Sequence, residues 1–497
     1  MSKNERKHDQ GNSFYMSDTN DRKVKRYKMR TLLIIEALVI FVLVIGYVVF
    51  ITNRNRGVNN SQTTDQSQTN NTGSNNSGTN NAGNNNTGGT NTDNNTNQEP
   101  GGNDGQSTEK EENDKKAEEL LAQADLLAMR YDYEGAIGRI KEFGDKYVEY
   151  PKLTEAIAGY EAKMAELDPF GAYDSPDEIS HVFFHILVAD TAKAFDGDYD
   201  SNGYNYYMTT TKEFNEMMQQ MYDAGYVLVS IHDVAKKTTL EDGSVKYVPG
   251  DIMLPKDKKP FVISQDDVNY YEYMTGDGFA TRVVLDENGK PKNEMLMDDG
   301  TVSVGDYDMI PLLDAFIEKH PDFSYKGAKG LIALTGYEGS LGYRTNDSTS
   351  PTFEEDKETV KKIVQAMKEQ GWEFASHSYG HRDMGKATYS FTKKDSDRWM
   401  EEVGSLIGPT DVYIFPYGID IETTMGLYES DKYEYLKGLG FDYFCGVYSK
   451  PWIHIKDDYV RMTRRPLDGQ AMLQFPERLK DLFDVDSVVE SIRPALK

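Results

Sequence analysis

Two short runs hold the residue types from which a hydrolytic site can be built. Ser264-Gln265-Asp266-Asp267 closes an apolar run with two adjacent carboxylates, and His377-Ser378-Tyr379-Gly380-His381 offers two imidazoles four residues apart. One carboxylate and two histidines suffice as the protein ligands of an open, hydrolytic metal site, and the spare carboxylate is then available as a base. The second run lacks the glutamate of a zincin His-Glu-x-x-His helix, which argues against a metalloprotease.

Both runs sit in an alternation of short apolar strands and amphipathic helices that begins at Ser180. Strands are expected over 181–184, 226–230, 260–264, 330–335, 372–376, 411–415, 443–447 and 459–462, and helices over 211–224, 306–319, 354–370, 394–406 and 433–438. Strands joined by helical crossovers imply a parallel sheet. Seven or eight of them in one α/β domain point to a deformed (β/α) barrel, with an open doubly wound sheet as the alternative. In a parallel barrel the strand ends share one face, where the loops build active sites. His185 follows the first strand, Asp266 and Asp267 the third, His377 and His381 the fifth, and Pro416-Tyr417-Gly418 the sixth. His232, after the second strand, is a further candidate by position. Glu241-Asp242-Gly243 and Glu287-Asn288-Gly289 read as hairpin turns decorating this core.

From about residue 180 to 470 the chain resembles the NodB-homology polysaccharide deacetylases of carbohydrate esterase family four. It is more closely similar to their circularly permuted branch, which acts on poly-N-acetylglucosamine. The resemblance rests on Asp266-Asp267, on His377 and His381, on the Pro416-Tyr417 loop and on an opening strand that ends in His185. The segment FNEMMQQMYDAGYVLVSIHDV adds to it. It implies a metal-dependent N-deacetylase in which Asp267, His377 and His381 hold a divalent ion, zinc being the one expected. Asp266 is then the base, His185 the acid for the departing nitrogen, and the Tyr417 backbone N–H a donor to the oxyanion. Pro416, Tyr270 and Tyr271 are expected near the substrate, although the two tyrosines equally suit a role in packing their loop.

The chain departs from the family pattern in three places. Gln265 stands where an aromatic is usual, Val268 where a turn glycine is, and Ile414 where an arginine orients the base. Arg464 or Arg465, after the last strand, is the candidate replacement for that arginine. The stretch between Val268 and Gly330 exceeds the family's usual connection and is expected to form a lid or substrate rim.

The rest of the 497-residue chain says where such a barrel would work. Residues 31–52, TLLIIEALVIFVLVIGYVVFIT, are of membrane-spanning length and interrupted only by Glu36. Nine basic residues precede them and no small-residue cleavage site follows. The expectation is an uncleaved signal anchor, with residues 1–30 as a cytoplasmic basic tail and the remainder outside the cell membrane. Residues 53–107 are dominated by Asn, Thr, Gly and Ser and read as a disordered linker. Over 108–167 apolar residues recur at helical spacing in a tetratricopeptide-like helix–turn–helix pattern. One such unit is too short for a binding solenoid, so a packing or spacer module is favoured over a peptide-binding one. The deacetylase-like domain then occupies 180–497.

Charge and cysteine content exclude more than they assign. The part after residue 52 has 46 Lys and Arg against 77 Asp and Glu, a net charge of −31. That argues against nucleic acid and against a broadly gripped polyanionic wall polymer, but not against a neutral N-acetylated glycan. The single Cys445 leaves no intrachain disulfide, so the fold must stand on its core. Two rival functions fit parts of the pattern. A non-catalytic surface glycan-binding protein on a degenerate barrel would not need the ligands, base and acid together. A glycosidase would need two carboxylates on opposite sides of a glycosidic bond, which adjacent aspartates do not by themselves provide.

Overall fold

Eight parallel strands make the core of the computed structural model, which describes residues 104–170, 178–198, 200–423 and 426–496. The anchor expected at 31–52 and almost all of the linker lie outside the described residues. Among the described residues no helix is long and apolar enough to cross a membrane.

The strands are β1 (Ser180–Phe184), β2 (Tyr226–Leu228), β3 (Lys259–Gln265), β4 (Leu331–Leu334), β5 (Glu373–Ser376), β6 (Val412–Ile414), β7 (Tyr443–Val447) and β8 (Val460–Pro466). Seven of them close a ring in the order β1-β3-β4-β5-β6-β7-β8 and back to β1. Closure excludes the open doubly wound sheet. The deformation is at β3, whose one edge is shared. Its first half pairs with β2 (Leu228 opposite Phe261) and its second half with β4 (Leu331 opposite Ser264). The short β2 therefore fills only the lower part of a gap that β4 closes above.

The strands are buried on both faces, as expected for a ring clothed in helices. Val262, Ala333, Ala375, Ile414, Cys445 and Met462 fill the interior. Outward residues such as Val182, Phe184 and Ile263 pack under the helices Thr211–Asp223, Met309–Lys319 and Phe353–Glu369. The first of these begins with a capping box in which Thr210 and Glu213 satisfy each other's backbone N–H groups. The ribbon 235–249 lies at the N-terminal mouth, where the Tyr443 hydroxyl donates to the Ala235 carbonyl oxygen.

Helices Asp104–Met129, Tyr133–Lys141 and Pro151–Met164 share a small core of Leu120, Ala124, Ala136, Ile140, Leu153 and Tyr160. They dock through Tyr131, which stacks on Tyr325 and donates its hydroxyl to the Asp322 carbonyl oxygen. Both contacts precede β4, so the module sits at the end of the barrel away from the histidine run. The stretch between β3 and β4 contains a three-stranded antiparallel sheet, Arg282–Leu285, Pro291–Leu296 and Val302–Gly305. The Val283 N–H donates to the Leu341 carbonyl oxygen, so this sheet builds up the wall beside the loop after β4.

Candidate active site

Side-chain alternation along β3 separates the paired aspartates. Val262 and Ser264 point into the barrel, and Asp266 continues that parity. It is 2% exposed and receives a two-pronged contact from Arg464, Nη1 to Oδ1 at 2.7 Å and Nη2 to Oδ2 at 2.9 Å. Asp267 leaves the strand with a φ of +61°, which turns its carboxylate toward His381. Adjacent residues thus enter different surroundings.

Arg464, not Arg465, meets the base candidate, and β8 pairing explains why. Met462 and Arg464 face inward, and Arg464 lies opposite His181 on β1. Arg465 faces out and pairs with Asp481. The interior above the apolar layer is a polar column. Ser264 joins His181 Nε2 at 2.9 Å and accepts from Arg464 at 3.2 Å. Burial, then the Arg464 charge, hold His181 well below the usual imidazole range, so it is neutral. Burial alone would raise the Asp266 pKa, but Arg464 and His377 outweigh it and hold the carboxyl well below its ordinary value.

The second run supplies the donors. His377 follows β5, is 1% exposed, and its Nδ1–H donates to the Ile414 carbonyl oxygen at 2.8 Å, leaving Nε2 as the lone-pair nitrogen. The chain then turns through positive φ at Ser378 (53°) and His381 (47°). Asp395, on the helix Tyr389–Trp399, braces that turn by accepting from the Tyr379 and Gly380 N–H groups at 2.7 and 2.9 Å. One ligand atom from each of Asp267, His377 and His381 lies within 4.8 Å of the others. Burial lowers His381 to about 4 despite the Asp267 charge, which keeps it an unprotonated donor at neutral pH. Two imidazoles and a carboxylate converging in this way fit a divalent ion of the zinc type.

The remaining expected residues surround this cluster. The His185 Nδ1–H donates to the Tyr207 carbonyl oxygen at 3.0 Å, which fixes the ring and leaves Nε2 outside that bond. His185 is close enough to both aspartates to lower their pKa values. Pro416 is buried, and Tyr417, at φ +58° and 40% exposed, sets its ring 4.5 Å from that of His381. Gly418 cannot be replaced without rearrangement, because a Cβ there would lie 2.3 Å from that of Val447.

Three expectations change. Tyr270 is not a sugar platform: it is 2% exposed with its hydroxyl on Asp308 at 2.8 Å. Tyr271 is also buried and donates to Asp267 Oδ1 at 2.6 Å, bracing that side chain rather than standing free. The exposed member of the group is Tyr273, in a stack with Tyr271 and Tyr337. His232 is at the wrong end of the barrel. Because β2 fills only the lower half of the gap, His232 meets Glu373 at the start of β5 (3.1 Å) and Asp411 just before β6 (2.9 Å). Tyr271 was expected near the substrate, but nothing in the sequence pointed to its hold on Asp267, or to Asp308 and Asp395 as partners of the site. Each acts through contacts distant in the chain or through a loop whose path the residue pattern leaves open.

The polysaccharide deacetylase family profile matches residues 344–443, a stretch that includes His377, His381, Pro416 and Tyr417. None of the curated protein sequences matches the chain. Among solved structures, a Streptococcus pyogenes deacetylase, PplD, in complex with acetate is similar at 12% identity and a TM-score of 0.34. The alignment covers 64% of this chain and 99% of that one. By the profile match, residues 344–443, which run from before β5 to the start of β7, form a polysaccharide deacetylase segment of the barrel.

Proposed function

We propose that this chain is a metal-dependent N-deacetylase of an N-acetylglucosamine-containing glycan, held at the outer face of the cell membrane by residues 31–52. The observation that supports it best is the buried Asp266–Arg464 pair beside the converging donors of Asp267, His377 and His381. The sequential order of the motifs, with the His185 strand first, favours the permuted branch.

A divalent ion, zinc by the chemistry of the donor set, would be held by Asp267, His377 and His381 and would supply Lewis-acid polarisation of the acetamide and acidify the attacking water. Asp266 accepts the proton of that water. Its low basicity keeps it ionised, so it takes a proton only from a strongly acidified donor. The Tyr417 N–H donates to the oxyanion as the carbonyl carbon becomes tetrahedral. His185, fixed through Nδ1, delivers a proton from Nε2 to the departing amine nitrogen. The exposed Tyr273 and Tyr417 rings offer apolar faces to a sugar at the rim. A neutral glycan also suits the acidic surface.

The test is acetate release from an N-acetylglucosamine pentamer by the zinc-loaded chain, with and without chelator. Asp266→Asn should reduce release on the order of 10²- to 10⁴-fold while zinc content stays unchanged. Pentamer bound without acetate release would favour the glycan-binding reading, and shortened oligomers the glycosidase.

A further inference from the structure

Gln265, one of the departures from the family pattern, ends β3 with its side chain on the outer face of the barrel. Its Nε2 donates both to the His185 carbonyl oxygen (3.1 Å) and to Asp308 Oδ1 (2.7 Å). Asp308 Oδ1 also accepts from the Leu187 N–H (2.9 Å), while Oδ2 accepts from the Tyr270 hydroxyl (2.8 Å). The Tyr270 oxygen in turn accepts from Asn293 Nδ2 (3.0 Å), which comes from the middle strand of the three-stranded sheet. Asp308 precedes the helix Met309–Lys319; the Met309 N–H helps hold its carboxylate, but the side chain does not form the usual cap bond deeper in the helix. Both oxygens also bond to loops of the candidate site.

Two costs call for an explanation. Asp308 is fully buried and makes no ion pair among the described residues, a situation that ordinarily disfavours a carboxylate. Burial indeed pushes it up to about 6 despite its donors. The turn after β3 also holds two non-glycine residues at positive φ, Asp267 at 61° and Tyr270 at 50°. Each is a strained conformation for a residue with a Cβ and persists only where the surroundings impose it. The Asp308 network imposes it at Tyr270.

We propose that Asp308 is a positioning residue that fixes the His185–Leu187 segment and the Asp267–Tyr271 turn to one another, with Gln265 and Tyr270 as its two arms. One carboxylate thereby sets the proton donor against the donor cluster, and the Val268–Gly330 stretch supplies part of the clamp through Tyr270, Asn293 and Asp308 itself. The inference rests on the roles given above to His185 and Asp267.

Hydrogen exchange of the full-length chain in detergent tests the clamp independently of activity. Asp308→Ala should speed amide exchange in both segments, 185–190 and 267–274. Asp308→Asn keeps an acceptor for Leu187 and Gln265 but leaves the Tyr270 hydroxyl without one, so it should speed exchange in 267–274 alone. Tyr270→Phe should do the same. In zinc-loaded enzyme these variants should lower kcat for the pentamer about 10- to 100-fold, with KM and zinc stoichiometry little changed. Unchanged exchange in either segment of Asp308→Ala, or unchanged kcat, overturns the proposal. Should Asp308→Ala fail to fold, Asp308→Asn and Tyr270→Phe decide it, and unchanged exchange in 267–274 is then the refuting result. A wild-type chain that releases no acetate counts against the proposed function, while the exchange data still judge the clamp.

Discussion

Replacing Arg464 by methionine removes the guanidinium that is hydrogen-bonded to a carboxylate almost wholly inside the barrel. The guanidinium gives Asp266 two hydrogen bonds, reaches Ser264 with a third, and lies 4.2 Å from the Phe183 ring. Methionine keeps much of the length and the ring contact but none of the donors. Breaking one partner of a buried pair leaves an uncompensated charge and costs about 3–5 kcal/mol. Removing both charges together avoids that penalty, so Arg464→Met with Asp266→Asn should recover much of the loss. The coupling between the two sites in a double-mutant cycle should exceed about 2 kcal/mol.

The pH dependence has a definite sign. In the wild type Asp266 titrates below its unfolded value of about 3.9, so its contribution to stability is present above that pH and is lost as pH falls toward the folded value. In Arg464→Met the desolvation remains and the compensating charge does not, so the carboxyl moves up. The variant's deficit is therefore greatest near neutral pH and shrinks toward pH 4 and below. Urea unfolding at several pH values measures it, and acetate release reports the same protonation, because a neutral Asp266 cannot act as base. A deficit under 1 kcal/mol at pH 7, or one that grows on acidification, would refute the account of Asp266 as a charge held by Arg464.

Two further outcomes follow from side chains around the barrel. Tyr271→Phe deletes the 2.6 Å donor to Asp267 while keeping the ring stack, and should weaken zinc affinity about 10- to 100-fold in a competition titration with a chromophoric chelator. His232 lies between Asp411 and Glu373; burial alone would lower it, but the two carboxylates raise it to about 10. Its contribution is thus fully present below about pH 6.5 and lost as pH rises toward 10. His232→Gln should flatten the fall of Tm between those values, by a margin kept small because the side chain is 40% exposed and partly screened. An unchanged slope would place the His232 cluster outside the stability of the barrel.

The strand-and-helix alternation of 180–470 was legible because buried parallel strands are short apolar runs, and a histidine or aspartate just past such a run falls on the loop face. That rule placed His185, Asp266, Asp267, His377 and His381 correctly relative to one another. It failed at His232 because it assumes that every strand spans the barrel. The three residues of β2 reach only half way, a property of the shared β3 edge that no residue pattern announces. Arg464 and Arg465 were equivalent in the sequence, and inward parity, which depends on the register of β8 with β1, separates them. Tyr270 and Tyr271 were ambiguous because an aromatic beside a site reads the same whether it faces solvent or the loop's own core.

Closure of the ring explains how an opening strand completes a site whose other parts come much later in the chain. His181 and Arg464 are neighbours only because β8 pairs with β1, and the same closure brings β1 against β3 so that Phe184 stands opposite Gln265. The residue after each of those positions is then His185 or Asp266, which sets the proposed acid beside the proposed base without any loop having to reach across. Gln265 then takes on meaning. On a strand flanked by β1 it is the outward residue nearest the His185 carbonyl oxygen, and an amide there can hold that oxygen and the Asp308 carboxylate at once, where an aromatic could hold neither. Gln265, one of the positions that depart from the family pattern, is thus a point at which the Val268–Gly330 stretch is tied to the barrel.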